Sequence, residues 1–222
     1  MRAVVWYLPP SMQRWLAEVP PHAPVAVLLR HSVRGHLPPG AAGHGIPITG
    51  DGARLAQHLG TLLGGRLRTL HTSPLPLCVQ TAEALCCGAA IDISIVHDRL
   101  LGDPGVYVVD SKRAQANWDE LGHEGVMQHL VTGDRRLPGM ADPAPAARRL
   151  VQHMLTVAGN RSGLHVFVSH DSVVIATSAR LLDEPLGKDD WPWYLEGAFF
   201  WREDGRVSTA YRDYFNQCTT VL

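Results

Sequence analysis

The chain has 222 residues, a formal net charge of −1 with its 12 histidines neutral, and 45% apolar against 18% charged residues. That length suits one α/β domain with a real core, and the composition is that of a folded chain. The near-zero charge excludes a bulk field drawing the chain to nucleic acid or an anionic membrane, so anion binding has to be local.

The N-terminal "MRAVVWYLPPSMQRWL" carries a short apolar run broken by two prolines, so no signal peptide is expected, and residues 1–23 read as a helical arm. "PVAVLLR" (24–30) is a continuous apolar run of the kind a parallel sheet buries on both faces. A Gly/Pro-rich loop follows, and "TGDGARLAQHLGTLLGG" reads as a helix capped by Thr49 or Asp51, with Leu55, Leu59, Leu62 and Leu63 as its apolar face. "LRTLHTS" (67–73) is a second strand, "LCVQTAEALCCG" a second helix and "IDISIVH" (91–97) a third strand. Residues 100–145 are less regular and read as an insertion or lid containing some helix. "DPAPAARRLVQHMLTVAG" resumes helix, "LHVFVSH" (164–170) is a fourth strand, and "SVVIATSARLL" is the helix after it. "GAFFWREDGRVSTAYRD" is a closing hairpin turned at Asp204-Gly205, and the tryptophans of "DWPWYLEGAFFW" are expected in the core. Alternating strands and helices give one domain over 1–222, an α/β three-layer sandwich. Its central sheet is mostly parallel, with helices on both faces and the insertion after the third strand.

Cys78, Cys86, Cys87 and Cys218 form no CxxC and no metal-ligand spacing, so a reduced, cytoplasmic protein is expected. No apolar stretch approaches the ~18 residues of a membrane helix. His36, His44 and Asp51 match no standard ligand pattern, and no metal or organic cofactor is expected.

Ligands of open parallel sheets bind beyond the carboxyl ends of the strands. The first strand ends in Arg30-His31, with Arg34 just behind, and the fourth ends in His170-Asp171. If these strands are neighbours, two histidines, a carboxylate and up to two arginines converge on one crevice. Such a set suits phosphoryl transfer. A neutral imidazole attacks phosphorus, arginine forks hold the phosphoryl oxygens, and a carboxylic acid protonates the departing oxygen. Neither a GxGxxG after the first strand nor a GxxxxGK[ST] is present, which disfavours nucleotide binding of those kinds.

Four segments in order, "LLRHSVR", "PITGDGARLAQHLG", "TSPLPLCVQTAEAL" and "VFVSHDSVV", resemble the motifs of the histidine phosphatase superfamily, with its phosphoglycerate mutase-like fold. The resemblance spans roughly residues 24–180. It implies that His31 is the nucleophile, that His170 stabilises the transferring phosphoryl group, and that Arg30 and Arg34 bind phosphate. It implies Asp103 of "LLGDPG" as proton donor by analogy with the mutase-like branch, or Asp171 by analogy with the acid-phosphatase branch. Ser32 stands where a glycine is usual, and Leu77 where the family carries a phosphate-binding arginine. The expected activity is metal-independent hydrolysis of a small phosphorylated substrate, or a phosphoprotein side chain, through a phosphohistidine. The alternatives are a catalytically impaired member that binds a phosphorylated ligand and, further off, a mutase. Substrate choice would lie in the insertion.

Overall fold

The computed structural model describes residues 5–36 and 45–218. Its frame is one seven-stranded sheet in the order β3-β2-β4-β1-β5-β6-β7. The strands are β1 (Pro24–Arg30), β2 (Leu67–Thr72), β3 (Ile95–His97), β4 (Gly163–Ser169), β5 (Gly197–Glu203), β6 (Arg206–Tyr211) and β7 (Tyr214–Cys218). β3, β2, β4 and β1 run parallel; β5 is antiparallel to β1, and β6 and β7 continue antiparallel. The expected three-layer architecture is the one observed.

Both faces of β1 are buried, which explains its unbroken apolar run. Val25, Val27 and Leu29 face α1 (Pro10–Glu18), α2 (Gly50–Leu63) and α3 (Pro76–Ala89). Ala26 and Leu28 face the layer of α4 (Ser111–Thr132), α5 (Pro143–Ala158) and α6 (Asp171–Leu182). Thr49 is the cap of α2, its hydroxyl accepting from Gly52 N at 3.0 Å. α2 and α3 pack at backbone contact, since a Cβ at Gly88 would lie 1.9 Å from Gln57 O.

Some boundaries depart from expectation. The third strand is short, because only Ile95–His97 finds a partner along β2. The hairpin turns at Asp204 (φ 50°) and Gly205 (φ 75°) as expected, but a further strand, β7, covers β6. The insertion is built around α4, a 22-residue helix broken at Gly122, with Val126, Met127 and Leu130 in the core against α6. The tryptophans of 191–201 divide: Trp201 is buried, Trp191 is half-buried and Trp193 is exposed, because residues 191–196 form a loop ahead of β5. No helix among the described residues is long and apolar enough to cross a membrane.

The central pair decides where a ligand can sit. From β1 the chain crosses through α2 to β2; from β4 it crosses through α6 to β5 on the other side. α2 and α6 lie on opposite faces, so the carboxyl ends of β1 and β4 meet at a topological switch point, the place where ligands of such sheets bind.

Candidate active site

β1 and β4 are paired in register, Arg30 opposite Ser169, and the ladder continues one step further with His31 N donating to Ser169 O at 2.9 Å. Past His31 the chain is fixed by the remaining motifs. Ser32 N donates to Thr81 Oγ1 at 3.0 Å, Ser32 Oγ to Gly52 O at 2.7 Å, and Thr49 N to Val33 O at 2.8 Å. Gln80 Oε1 accepts from Ile48 N at 2.9 Å. A Cβ at position 52 would lie 2.3 Å from Val33 O, so the start of α2 needs glycine to press against the His31 loop. The "TGDG" and "QTA" segments thus act by holding that loop.

His31 is buried, and its Nδ1 donates to the Ser32 carbonyl at 2.8 Å. A carbonyl only accepts, so the proton is on Nδ1 and the lone pair on Nε2. Burial, reinforced by Arg30 and His170, pushes the His31 pKa down to about 3, leaving a neutral imidazole at any ordinary pH. The His170 ring lies with its centre 5.8 Å from that of His31, the planes inclined at 64°. His170 Nε2 shares a hydrogen bond with Ser73 Oγ at 3.1 Å and meets the Sγ of Cys78 at 3.7 Å. Burial pushes the Cys78 thiol up, so it stays protonated and donates to Ser169 O.

Arg30 reaches Asp171 (Nη2 to Oδ2, 3.2 Å) and donates Nη1 to Pro192 O at 2.5 Å. Its guanidinium carbon stands 4.2 Å from the centre of the Tyr194 ring. Its buried Nε has no acceptor among the described residues. Burial alone would raise the Asp171 pKa, but Arg30, His123 and His31 outweigh it and hold the carboxyl below its usual value. Asp171 is therefore an anion at neutral pH.

The structure thus brings Arg30, His31, His170 and Asp171 into one cluster. Arg34 lies on the loop beyond, bridged to Ile48, with Nη1 donating to Gly35 O. Asp103 is half-exposed with its carboxylate 4.0 Å from Arg99; the residue pressed against His170 is its neighbour Gly102, where a Cβ would fall 2.6 Å from His170 Nε2. Leu77 is 4% exposed and packs in the core beneath α3. His36 is exposed, and His44 lies outside the described residues. Among the described residues no cluster suited to a metal ion occurs.

Sequence reading missed several neighbours. Tyr194 covers both Arg30 and His31, its ring centre 5.7 Å from that of His31. His123, just past the break at Gly122, comes within 4.0 Å of Asp171 and sets its ring edge-on to Trp191. Glu196, 3% exposed, accepts from Trp193 N, Ser11 Oγ and Arg212, and so fixes the loop carrying Tyr194. The "WYLEG" run of aromatics ending in a glutamate ahead of an apolar strand was the available signal for Tyr194 and Glu196. Nothing local marked His123.

Comparison with solved structures gives the same fold at low identity. A phosphoserine phosphatase mutant from Entamoeba histolytica, in complex with phosphoserine, matches with TM-score 0.60 and 16% identity, covering 86% of this chain and 96% of its own. A phosphoglycerate mutase from Bacillus anthracis matches with TM-score 0.54 and 12% identity, covering 90% and 94%. A mycobacterial glucosyl-3-phosphoglycerate phosphatase matches with TM-score 0.51 and 17% identity, covering 87% and 96%. No curated protein sequence matches the chain. The model of the histidine phosphatase superfamily (branch 1) matches residues 27–194. The match runs from within β1 to the loop ahead of β5, and with it takes in both His31 and His170: the chain belongs to the histidine phosphatase superfamily.

Proposed function

We propose that this chain is a phosphomonoester hydrolase working through phospho-His31 on a small phosphorylated substrate, with no metal or organic cofactor. One observation carries the reading. A buried, neutral imidazole has its proton fixed on Nδ1 by a carbonyl, which puts the nucleophilic lone pair on Nε2, and a second histidine and an arginine lie beside it.

In the first step His31 Nε2 forms a bond to phosphorus as the P–O bond to the leaving group breaks. Arg30 holds phosphoryl oxygens with its guanidinium, His170 stabilises the charge on the transferring group, and Arg34 joins them by reaching in from the loop beyond. As His31 develops positive charge, its Nδ1–H bond to the Ser32 carbonyl strengthens, and Asp171 nearby favours that charge. In the second step water attacks the phosphohistidine; Asp171, already ionised, is suited to take the proton of that water. Of the two carboxylates proposed as donor to the leaving group, Asp103 would have to leave Arg99 and Asp171 would first have to be protonated.

A second reading is that the chain binds a phosphorylated ligand and turns it over slowly or not at all. It is favoured by Leu77, whose side chain is core, and by the Asp171 carboxylate that already neutralises Arg30. Losing one donor to a transition-state anion costs about 2.7–4 kcal/mol. The decisive experiment is an alkaline quench of the enzyme with phenyl phosphate, followed by mass spectrometry of the His31 peptide. Phosphate on His31, absent in His31→Ala together with turnover, supports the first reading. Saturable binding of inorganic phosphate with neither phosphopeptide nor turnover supports the second.

A further inference from the structure

We propose that the site is built for aryl phosphates, monoesters whose leaving group is a phenol, rather than for phosphates of alkyl alcohols; this rests on the phosphohistidine reading above. Two independent observations point the same way. The first is the floor of the site. Where the third strand delivers the chain to His170, the residue in contact is Gly102, whose Cα leaves no room for a side chain against Ser73 Oγ and His170 Nε2. Asp103 points its carboxylate to Arg99, and Asp171 is held as an anion by Arg30. Among the described residues, neither of these carboxylates therefore stands ready as an acid for the leaving oxygen. An alkoxide, the conjugate base of a far weaker acid than a phenol, leaves badly without one. A phenolate, with a pKa of about 10, leaves far more easily.

The second observation is the wall. Tyr194 lies against both Arg30 and His31, and Trp6 abuts Tyr194 edge-on with ring centres 5.6 Å apart. Across Asp171, His123 and Trp191 form another edge-on pair with centres 5.7 Å apart. Tyr194 is itself only half-buried, and an aromatic leaving group would extend this cluster of rings in the offset or edge-on contacts such rings favour. Arg30, the arginine of the cluster, is already paired with Asp171, so part of its charge is spent before a second anionic group on the leaving alcohol could claim it.

The chemistry balances without a co-reactant. The bond from His31 Nε2 to phosphorus forms as the P–O(aryl) bond breaks, and its electron pair departs on phenolate, which takes a proton from solvent. Water then breaks the P–N bond, its proton passing to Asp171 and on to solvent. Inorganic phosphate leaves and His31 returns to its neutral form.

The test compares kcat/KM of the full chain for phenyl phosphate and phosphotyrosine with that for phosphoserine and glycerol 3-phosphate. Alongside it, binding of phenylphosphonate and methylphosphonate, which cannot be hydrolysed, is measured by titration calorimetry on wild type and Tyr194→Leu. An acid contributes roughly 10²–10⁴-fold where it is present, so the aryl esters are expected to lead by ~10²-fold or more. Phenylphosphonate is expected to bind more tightly than methylphosphonate, and Tyr194→Leu to narrow that gap by up to ~10-fold. Alkyl esters turned over within ~10-fold of aryl esters overturn the proposal, as does equal binding of the two phosphonates. If no ester is turned over, the phosphohistidine reading fails on its own. The phosphonate pair then still decides whether an aromatic group is what the site accepts.

Discussion

Replacing Gly102 by alanine is the smallest change that reaches the reacting groups. The added Cβ would sit 2.4 Å from Ser73 Oγ, 2.6 Å from His170 Nε2 and 2.9 Å from His170 Cδ2. The backbone cannot easily retreat. Leu101 is fully buried with its carbonyl held by Ser169 Oγ at 2.6 Å, and Asp103 O is held by Arg99 Nε at 2.8 Å. The backbone at 102 is extended, so the penalty is steric rather than torsional. To restore ordinary contact the His170 ring must move by about 0.8 Å, and a displacement near 1 Å at reacting groups costs ~10²-fold in rate. Overpacking of this kind destabilises the fold by only about 1–3 kcal/mol. The expectation is therefore a folded variant with kcat/KM for phenyl phosphate lowered ~10²-fold and a urea midpoint lowered modestly. Gly102→Ala at wild-type activity would refute the assignment of His170 as a reacting group, or the rigidity of the loop against it.

Other expectations follow from the same geometry. Arg30→Lys keeps the charge but cannot bridge Asp171 and Pro192 O while stacking on Tyr194; kcat/KM for phenyl phosphate should fall by ~10²-fold or more, with stability nearly kept. Glu196→Ala leaves the part-buried Arg212 without its carboxylate and frees the Tyr194 loop, so urea unfolding should show a loss near the lower end of about 3–5 kcal/mol. For pH, the folded pKa of His31 lies below its unfolded value, so the unfolded chain takes up more protons and stability falls as pH drops from about 6.5 towards 3. Between pH 7 and 5 wild type should lose about 2 kcal/mol more than His31→Gln; parallel urea-midpoint profiles would contradict the buried neutral imidazole.

What the sequence disclosed followed its periodic and local signals. The apolar runs of β1 and β4 and the Asp204-Gly205 turn are short-range statements of burial and backbone angle and were legible, as was the cap of α2 to within two residues, Thr49 or Asp51, of which the structure uses Thr49. So were Arg30, His31, His170 and Asp171, because strand ends in a parallel sheet project to one edge. Tyr194 and Glu196 were not, since their roles depend on a loop held by Ser11 and Arg212, partners far along the chain. His123 was hidden for the same reason: it reaches Asp171 only because α4 breaks at Gly122 and packs on α6. Gly102 is the instructive case. A carboxylate one residue further on draws the eye, while the geometry of the loop turns the glycine inward.

The backbone bond from His31 N to Ser169 O makes the nucleophile's own amide one more rung of the central ladder. His170 begins one residue past that acceptor, at the head of α6. The spacing of the two imidazoles is thus a property of the β1–β4 pairing. Hydrogen exchange at the His31 amide should then proceed only through opening of that pairing, at close to the free energy of global unfolding. The site should have no partly open form: in rising denaturant, protection of this amide and catalysis would vanish together.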